Sequence, residues 1–213
     1  MNLGIHHYYY FVIVASAQYD KSRLMGSEID SFKEVVKMNR FVTGPYEKHL
    51  GSKCTMWVCN RKLVLGKTPF GYYCHDNWLS KKRQHPELKK CLMVTYIETK
   101  EELKELTEGV EKDEFLEVAD TIDSYWYLNK RWQELGTPGS GSNMGKPSTG
   151  MLTILYFTTL YDVVHLYNFD FGATVHYWGN HGKADQPKAA SHDWSFDKRV
   201  VDELVKEGKI VYL

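Results

Sequence analysis

Several features that would assign a function quickly are missing from this chain. The longest apolar stretch near its start, Tyr8 to Ala15, falls far short of the roughly 20 residues that cross a bilayer. No basic segment precedes it, so no transmembrane segment and no secretory signal are expected. Charge of one sign is not in excess: 27 Lys plus Arg stand against 27 Asp plus Glu. That balance removes the global electrostatic case for nucleic acid or an anionic membrane, and any anionic ligand must be held locally. The four cysteines, Cys54, Cys59, Cys74 and Cys91, form no Cys-x-x-Cys pair and no zinc-ligand spacing, and no Asn-x-Ser/Thr sequon occurs. Reduced, mostly buried thiols are expected. His165, His176, His181 and His192 fall within 28 residues, but His176 and His181 are five apart and no Cys or carboxylate completes a ligand set, so no metal site is expected. The first apolar run ends in Ala15-Ser16-Ala17 and not in Gly-x-Gly-x-x-Gly, which disfavours a dinucleotide site. A Gly-x-Ser-x-Gly elbow and an Asp-x-Asp clamp for a metal-bound diphosphate are also missing.

What is present describes a folded α/β protein. With 213 residues, 43% hydrophobic, 25% charged and only six prolines, the chain has the composition of one compact domain, here read as residues 1–213. Tyr8 to Val14, Val35 to Met38, Cys54 to Cys59, Leu92 to Ile97 and Val163 to Tyr167 are short apolar runs of strand length. Between them, Lys100 to Glu108 carries charges at i, i+4, and Asp113 to Leu135 places Phe115, Leu116, Ala119, Ile122 and Trp126 at helical intervals. Strands alternating with helices predict a mostly parallel sheet in an α/β domain. Residues 136–147 begin with the sequence GTPGSGSNMG, a flexible Gly/Ser loop that is either a binding loop or an idle surface insertion. It leads into Pro147-Ser148-Thr149-Gly150 and the almost wholly apolar Met151 to Leu160. Ser148 is a good N-cap for a buried helix whose N-terminal amides could hold one phosphate; the same pattern also fits an ordinary capped core helix.

Three segments resemble the animal-type sialyltransferases (glycosyltransferase family 29). Phe11 to Thr55 resembles that family's large motif, most specifically at Gly26, Glu28-Ile29-Asp30-Ser31, Lys37-Met38-Asn39, Gly51-Ser52-Lys53 and Thr55. Pro147 to Phe169 is similar to the small motif. In the tail, His176-Tyr177-Trp178 resembles the third motif, and His192 followed after four residues by Asp197 resembles the very small motif. The resemblance implies a single Rossmann-like domain of the glycosyltransferase-A variant type. It implies metal-independent transfer of sialic acid from CMP-sialic acid to a glycan hydroxyl, with inversion and no cofactor beyond the nucleotide-sugar donor. His192 would then be the general base, as a neutral imidazole can be near pH 7. His176 would hydrogen-bond the leaving phosphate. Ser16, Asn39, Ser148, Thr149 and Gly150 would meet the donor, with Asp197 and Tyr177 in support.

The departures are specific. The family has Gly-Asn-Ser where this chain has Ala15-Ser16-Ala17, and Ser16 is shorter than the family's asparagine and offers one donor. The family's disulfide cysteines are replaced by Phe11 and Tyr161, which could fill the space by packing. Gly179 stands where the third motif is usually acidic, and Asp197 replaces a glutamate. A minimal cytoplasmic enzyme of microbial or viral origin is expected. Two alternatives remain: the same fold and chemistry with another donor, such as CMP-Kdo, or a catalytically silent glycan- or nucleotide-binding homologue. The basic residues Lys81, Lys82, Arg83, His85, Lys89 and Lys90 are either a solvated face or a surface for an anionic acceptor or a membrane.

Overall fold

The computed structural model describes residues 10–59, 78–93, 132, 134–135, 147–174, 177 and 192–213. Six described strands build one sheet: β1 (Phe11–Val14), β2 (Glu34–Met38), β3 (Met56–Cys59), β4 (Lys90–Met93), β5 (Val164–Tyr167) and β6 (Ile210–Tyr212). Their order is β4-β3-β2-β1-β5-β6, and every pairing is parallel. The helices bounded by described residues are α1 (Gly26–Ser31), α2 (Glu47–Leu50), α3 (Trp78–Gln84), α4 (Thr149–Leu160) and α5 (Trp194–Lys206), with a 3-10 turn at Gly44–Tyr46. The expected α/β class with a parallel sheet is what the chain adopts.

Parallel strands covered on both faces read as continuous apolar runs, and β1 is buried at every position. Alternation along it feeds two cores. Phe11 and Ile13 join Val36, Met38, Met56 and Val58 against Leu152 and Leu155 of α4 and Val200 and Leu204 of α5. Val12 and Val14 join Val35 against Ile29 of α1 and Leu50 of α2. Helices therefore cover both faces of the sheet. Phe11 and Tyr161 fill their space by packing, as expected, with stacked ring centroids 4.4 Å apart at 23°.

Most of the large-motif residues build this scaffold. The Asp30 carboxylate accepts from the amides of Ser52 and Lys53 at 3.0 and 2.9 Å and from the Ser52 hydroxyl at 2.9 Å, which ties α1 to the turn after α2. Thr55 Oγ1 accepts from Val35 N at 2.9 Å. Lys37 is buried, and its ammonium donates to the carbonyls of Gly51 (2.6 Å) and Leu50 (3.2 Å) at the end of α2. Its pKa is lowered to about 8, chiefly by burial.

Two expectations shift. The fourth strand begins at Lys90, two residues before the apolar run, because parallel pairing sets Met56 against Lys90 and Val58 against Leu92. The basic cluster is partly turned inward: Lys81 is 2% exposed and donates to Phe41 O at 2.7 Å, and Lys82 donates to Leu88 O. Lys89 pairs with Glu34 at 3.4 Å. Arg83, Lys89 and Lys90 are solvated as one reading has it, while Lys81 and His85 are buried, which neither reading anticipates. The predicted helix at Lys100 to Glu108, most of that at Asp113 to Leu135, the Gly/Ser loop after Leu135, Cys74 and Gly179 lie outside the described residues. The three described cysteines are free and buried.

Candidate active site

Strand order reverses at β1, whose chain neighbours leave to one side and whose other partner is β5. In a parallel sheet the crevice beyond the carboxyl ends of the strands at such a switch point is the usual ligand position. A cleft of about 280 Å³ opens there. It is lined by Ala15-Ser16-Ala17 after β1, Met38-Asn39 at the end of β2, Phe169 to Gly172 after β5, Ser148 to Met151 at the start of α4, and His192, Trp194 and Asp197 around the start of α5. Of the sequence-predicted site residues, Ser16, Asn39, Ser148, Thr149, Gly150, His192 and Asp197 thus share one cavity. Tyr177 does not line it, and His176 lies outside the described residues.

Each wall has a local cause. Asn39 sits at φ +47, a conformation asparagine tolerates better than most residues, and is fixed by its amide to Val58 O and by Trp57 Nε1 to its own carbonyl, both 2.7 Å. Ser148 caps α4 as expected: its Oγ accepts from Met151 N at 3.0 Å, and its carbonyl accepts from Leu152 N at 2.9 Å. The amides of Thr149 and Gly150 precede these bonds and belong to the positive end of a 12-residue helix. Asp193 caps α5 through Phe196 N at 2.9 Å, which leaves His192 on the rim, 5.1 Å from the Trp194 ring in edge-to-face contact.

Asp197 is the buried charge of the site. It is 1% exposed, and its Oδ1 accepts from Trp132 Nε1 at 3.0 Å, while Oδ2 has no hydrogen-bond partner among the described residues. Burial pushes its carboxyl up to about 6, and the neighbouring Ser148 and Trp132 dipoles pull it back part of the way. Trp132 is completely buried and packs edge-on against Phe196, with centroids 4.6 Å apart. Tyr177 acts from outside the cleft: its hydroxyl accepts from Val42 N at 2.9 Å and donates to Val42 O at 2.8 Å, and its amide donates to Ser16 O at 3.1 Å.

Sequence reasoning missed the wall after β5. The Asp170 carboxylate accepts from the amides of Gly172 (3.0 Å) and Thr174 (2.5 Å), an Asx turn for which Asp-x-Gly was the available signal. At Gly172, φ is +81 and a Cβ would come within 2.8 Å of the Trp194 indole, so a side chain there would displace one cleft wall. Trp132 carried no local signal, because its partner lies 65 residues away.

The model of glycosyltransferase family 29 (sialyltransferase) matches residues 11–209. The chain belongs to that family. Among curated proteins it is 27% identical over 197 residues to CMP-N-acetylneuraminate-beta-galactosamide-alpha-2,3-sialyltransferase 2 of Mus musculus, covering 87% of this chain and 51% of the relative. The Rattus norvegicus protein of the same name matches equally. The chain thus spans about half the length of these curated relatives. A mammalian sialyltransferase solved in complex with Gal-beta-1-3GalNAc-ortho-nitrophenol superposes with a TM-score of 0.59 at 20% identity, covering 95% of this chain and 68% of that one. The alpha-2,3-sialyltransferase Cst-I of Campylobacter jejuni superposes with the same score at 17% identity, covering 95% and 74%. This family member therefore has the sialyltransferase fold. No helix among the described residues is long and apolar enough to cross a membrane.

Proposed function

We propose that the chain transfers sialic acid from CMP-sialic acid to a glycan hydroxyl, with inversion and without a metal, using His192 as general base. The observation that carries this reading is the convergence of His192, the α4 N-terminus, Asn39 and Ser16 on one cleft. In such a transfer the acceptor oxygen forms the new glycosidic bond as the bond from the anomeric carbon to CMP breaks. The Thr149 and Gly150 amides meet the charge that develops on the leaving phosphate, and the imidazole takes the acceptor proton. His176 would add a donor to that phosphate, by its place in the third motif. Asn39 and Ser16 would hold the nucleotide, with Ser148, Asp197 and Tyr177 supporting the frame. The whole chain would work as one catalytic domain. The Phe11–Tyr161 stack suits a reducing compartment, so a cytoplasmic enzyme remains the proposal.

His192→Ala is expected to lower transfer from CMP-sialic acid by roughly 10²–10⁴-fold, the usual contribution of a positioned general base. Stabilisation by CMP in a metal-free thermal shift should persist. Wild-type transfer in that variant would overturn the assignment. The Ala15-Ser16-Ala17 turn favours a second reading, with another donor such as CMP-Kdo, and a donor panel separates the two.

A further inference from the structure

The Ala15-Ser16-Ala17 turn after β1 lines the cleft but has no side chain larger than serine to brace it from within. Its bracing comes from the neighbouring strand β5, next to it in the sheet and far away in the sequence. Asn168, the residue after β5, directs its amide nitrogen at two carbonyls of that turn, Ala17 O at 2.6 Å and Ala15 O at 3.2 Å. Both partners are acceptors, so both amide hydrogens are used and an aspartate could not replace it. Asn168 is half-buried and reaches this position from φ +62, a conformation open to asparagine and glycine and costly to most other residues. The carbonyl between the two, Ser16 O, is taken by the Tyr177 amide at 3.1 Å, and the next amide, Gln18 N, donates to Thr174 Oγ1 at 2.9 Å. Every carbonyl of Ala15-Ser16-Ala17 is therefore fixed by a residue more than 150 positions away.

We propose that Asn168 is a positioning residue for the donor: it clamps the Ala15-Ser16-Ala17 turn so that Ser16 faces the nucleotide site. The proposal rests on the reading of the cleft as a CMP-sugar site. A turn of three small residues has many conformations, and a ligand that selects one of them loses affinity in proportion to how seldom it is populated. Two hydrogen bonds from one rigid amide, anchored at a strand end, remove that loss before the ligand arrives.

The test uses the full 213-residue chain, with Asn168→Gly as the main variant, because glycine keeps the backbone conformation and removes only the clamp. Hydrogen exchange of the Ala15–Gln18 amides, measured without ligand, is expected to accelerate about tenfold, and CMP affinity to fall about tenfold, the scale of one to two net hydrogen bonds. In a Ser16→Ala background the same substitution should weaken CMP less than about twofold, since the side chain being positioned is gone. Asn168→Asp, which presents acceptors to acceptors, should weaken CMP at least as much as Asn168→Gly. Unchanged exchange in Asn168→Gly overturns the clamp. Accelerated exchange with unchanged CMP affinity overturns its role toward the donor, and an equal loss in both backgrounds overturns its action through Ser16. If the wild-type chain binds no CMP, the donor reading falls, while the ligand-free exchange still decides the clamp.

Discussion

Replacing Asp197 by asparagine should change how stability depends on pH. The carboxyl has an ordinary value of 3.8 and is raised to about 6 in the folded chain, chiefly by burial. Between those two values the native state keeps a proton that the unfolded chain has released, so the free energy of unfolding falls as pH rises. The contribution is fully present below about 4 and gone above about 7. A shift of roughly 2 units corresponds to about 3 kcal/mol. Asparagine keeps the acceptor for Trp132 Nε1 and carries no charge, so Asp197→Asn lacks this dependence. Urea unfolding of both proteins between pH 4 and pH 8 should show the variant gaining about 3 kcal/mol on the wild type as pH rises, whatever the offset at pH 4. In thermal unfolding that is about 6–12 °C for a chain of this size. A gap between the two curves that stays constant to within about 0.5 kcal/mol would show that Asp197 is not a buried, proton-retaining carboxyl, and the account of it given above would be wrong.

Lys37 should show the opposite sign. Its folded value of about 8 lies below the ordinary 10.5, so the unfolded chain binds the extra proton between them, and wild-type stability should rise on Lys37→Met by about 3 kcal/mol between pH 8 and pH 10.5; parallel denaturation curves would refute this. Gly26→Ala is expected to abolish the native fold, because the added Cβ would lie 1.9 Å from Glu47 O and 2.9 Å from Lys48 C, both backbone atoms of α2; a native circular dichroism spectrum and an unchanged melting temperature would contradict that.

The strands most legible in the sequence were those buried on both faces. β1 and β3 are apolar throughout, and β2 and β5 largely so, because a parallel sheet leaves no wet face, and the run of apolar residues is the signal itself. α4 was legible for the same reason, with Ser148 marking its start. β6, three residues at the edge of the sheet with Val211 and Tyr212 exposed, lies in the short apolar run Ile210 to Leu213, a signal that the reading of the sequence passed over. α1 and α2 span six and four residues, too short for a helical period to register. α5 did carry a signal, Phe196, Val200, Val201 and Leu204 on one buried stripe, which the search for chemistry around His192 passed over.

The site divides in the same way. Asn39, Ser148, His192 and Asp197 were found because each sits in a short local motif, and local motifs survive in a linear reading. The sequence by itself therefore determined the fold class, the capped helix and seven of the seventeen residues that line the cleft. Tertiary structure decided which of them are braced and how they are charged. The bond from Trp132 to Asp197, those from Asn168 to Ala15 and Ala17, and that from Tyr177 to Ser16 join residues 65 or more positions apart that only the folded chain brings together. The raised pKa of Asp197 likewise comes from the protein packed around it, since desolvation depends on all the neighbours a group has in space and not on those beside it in the chain.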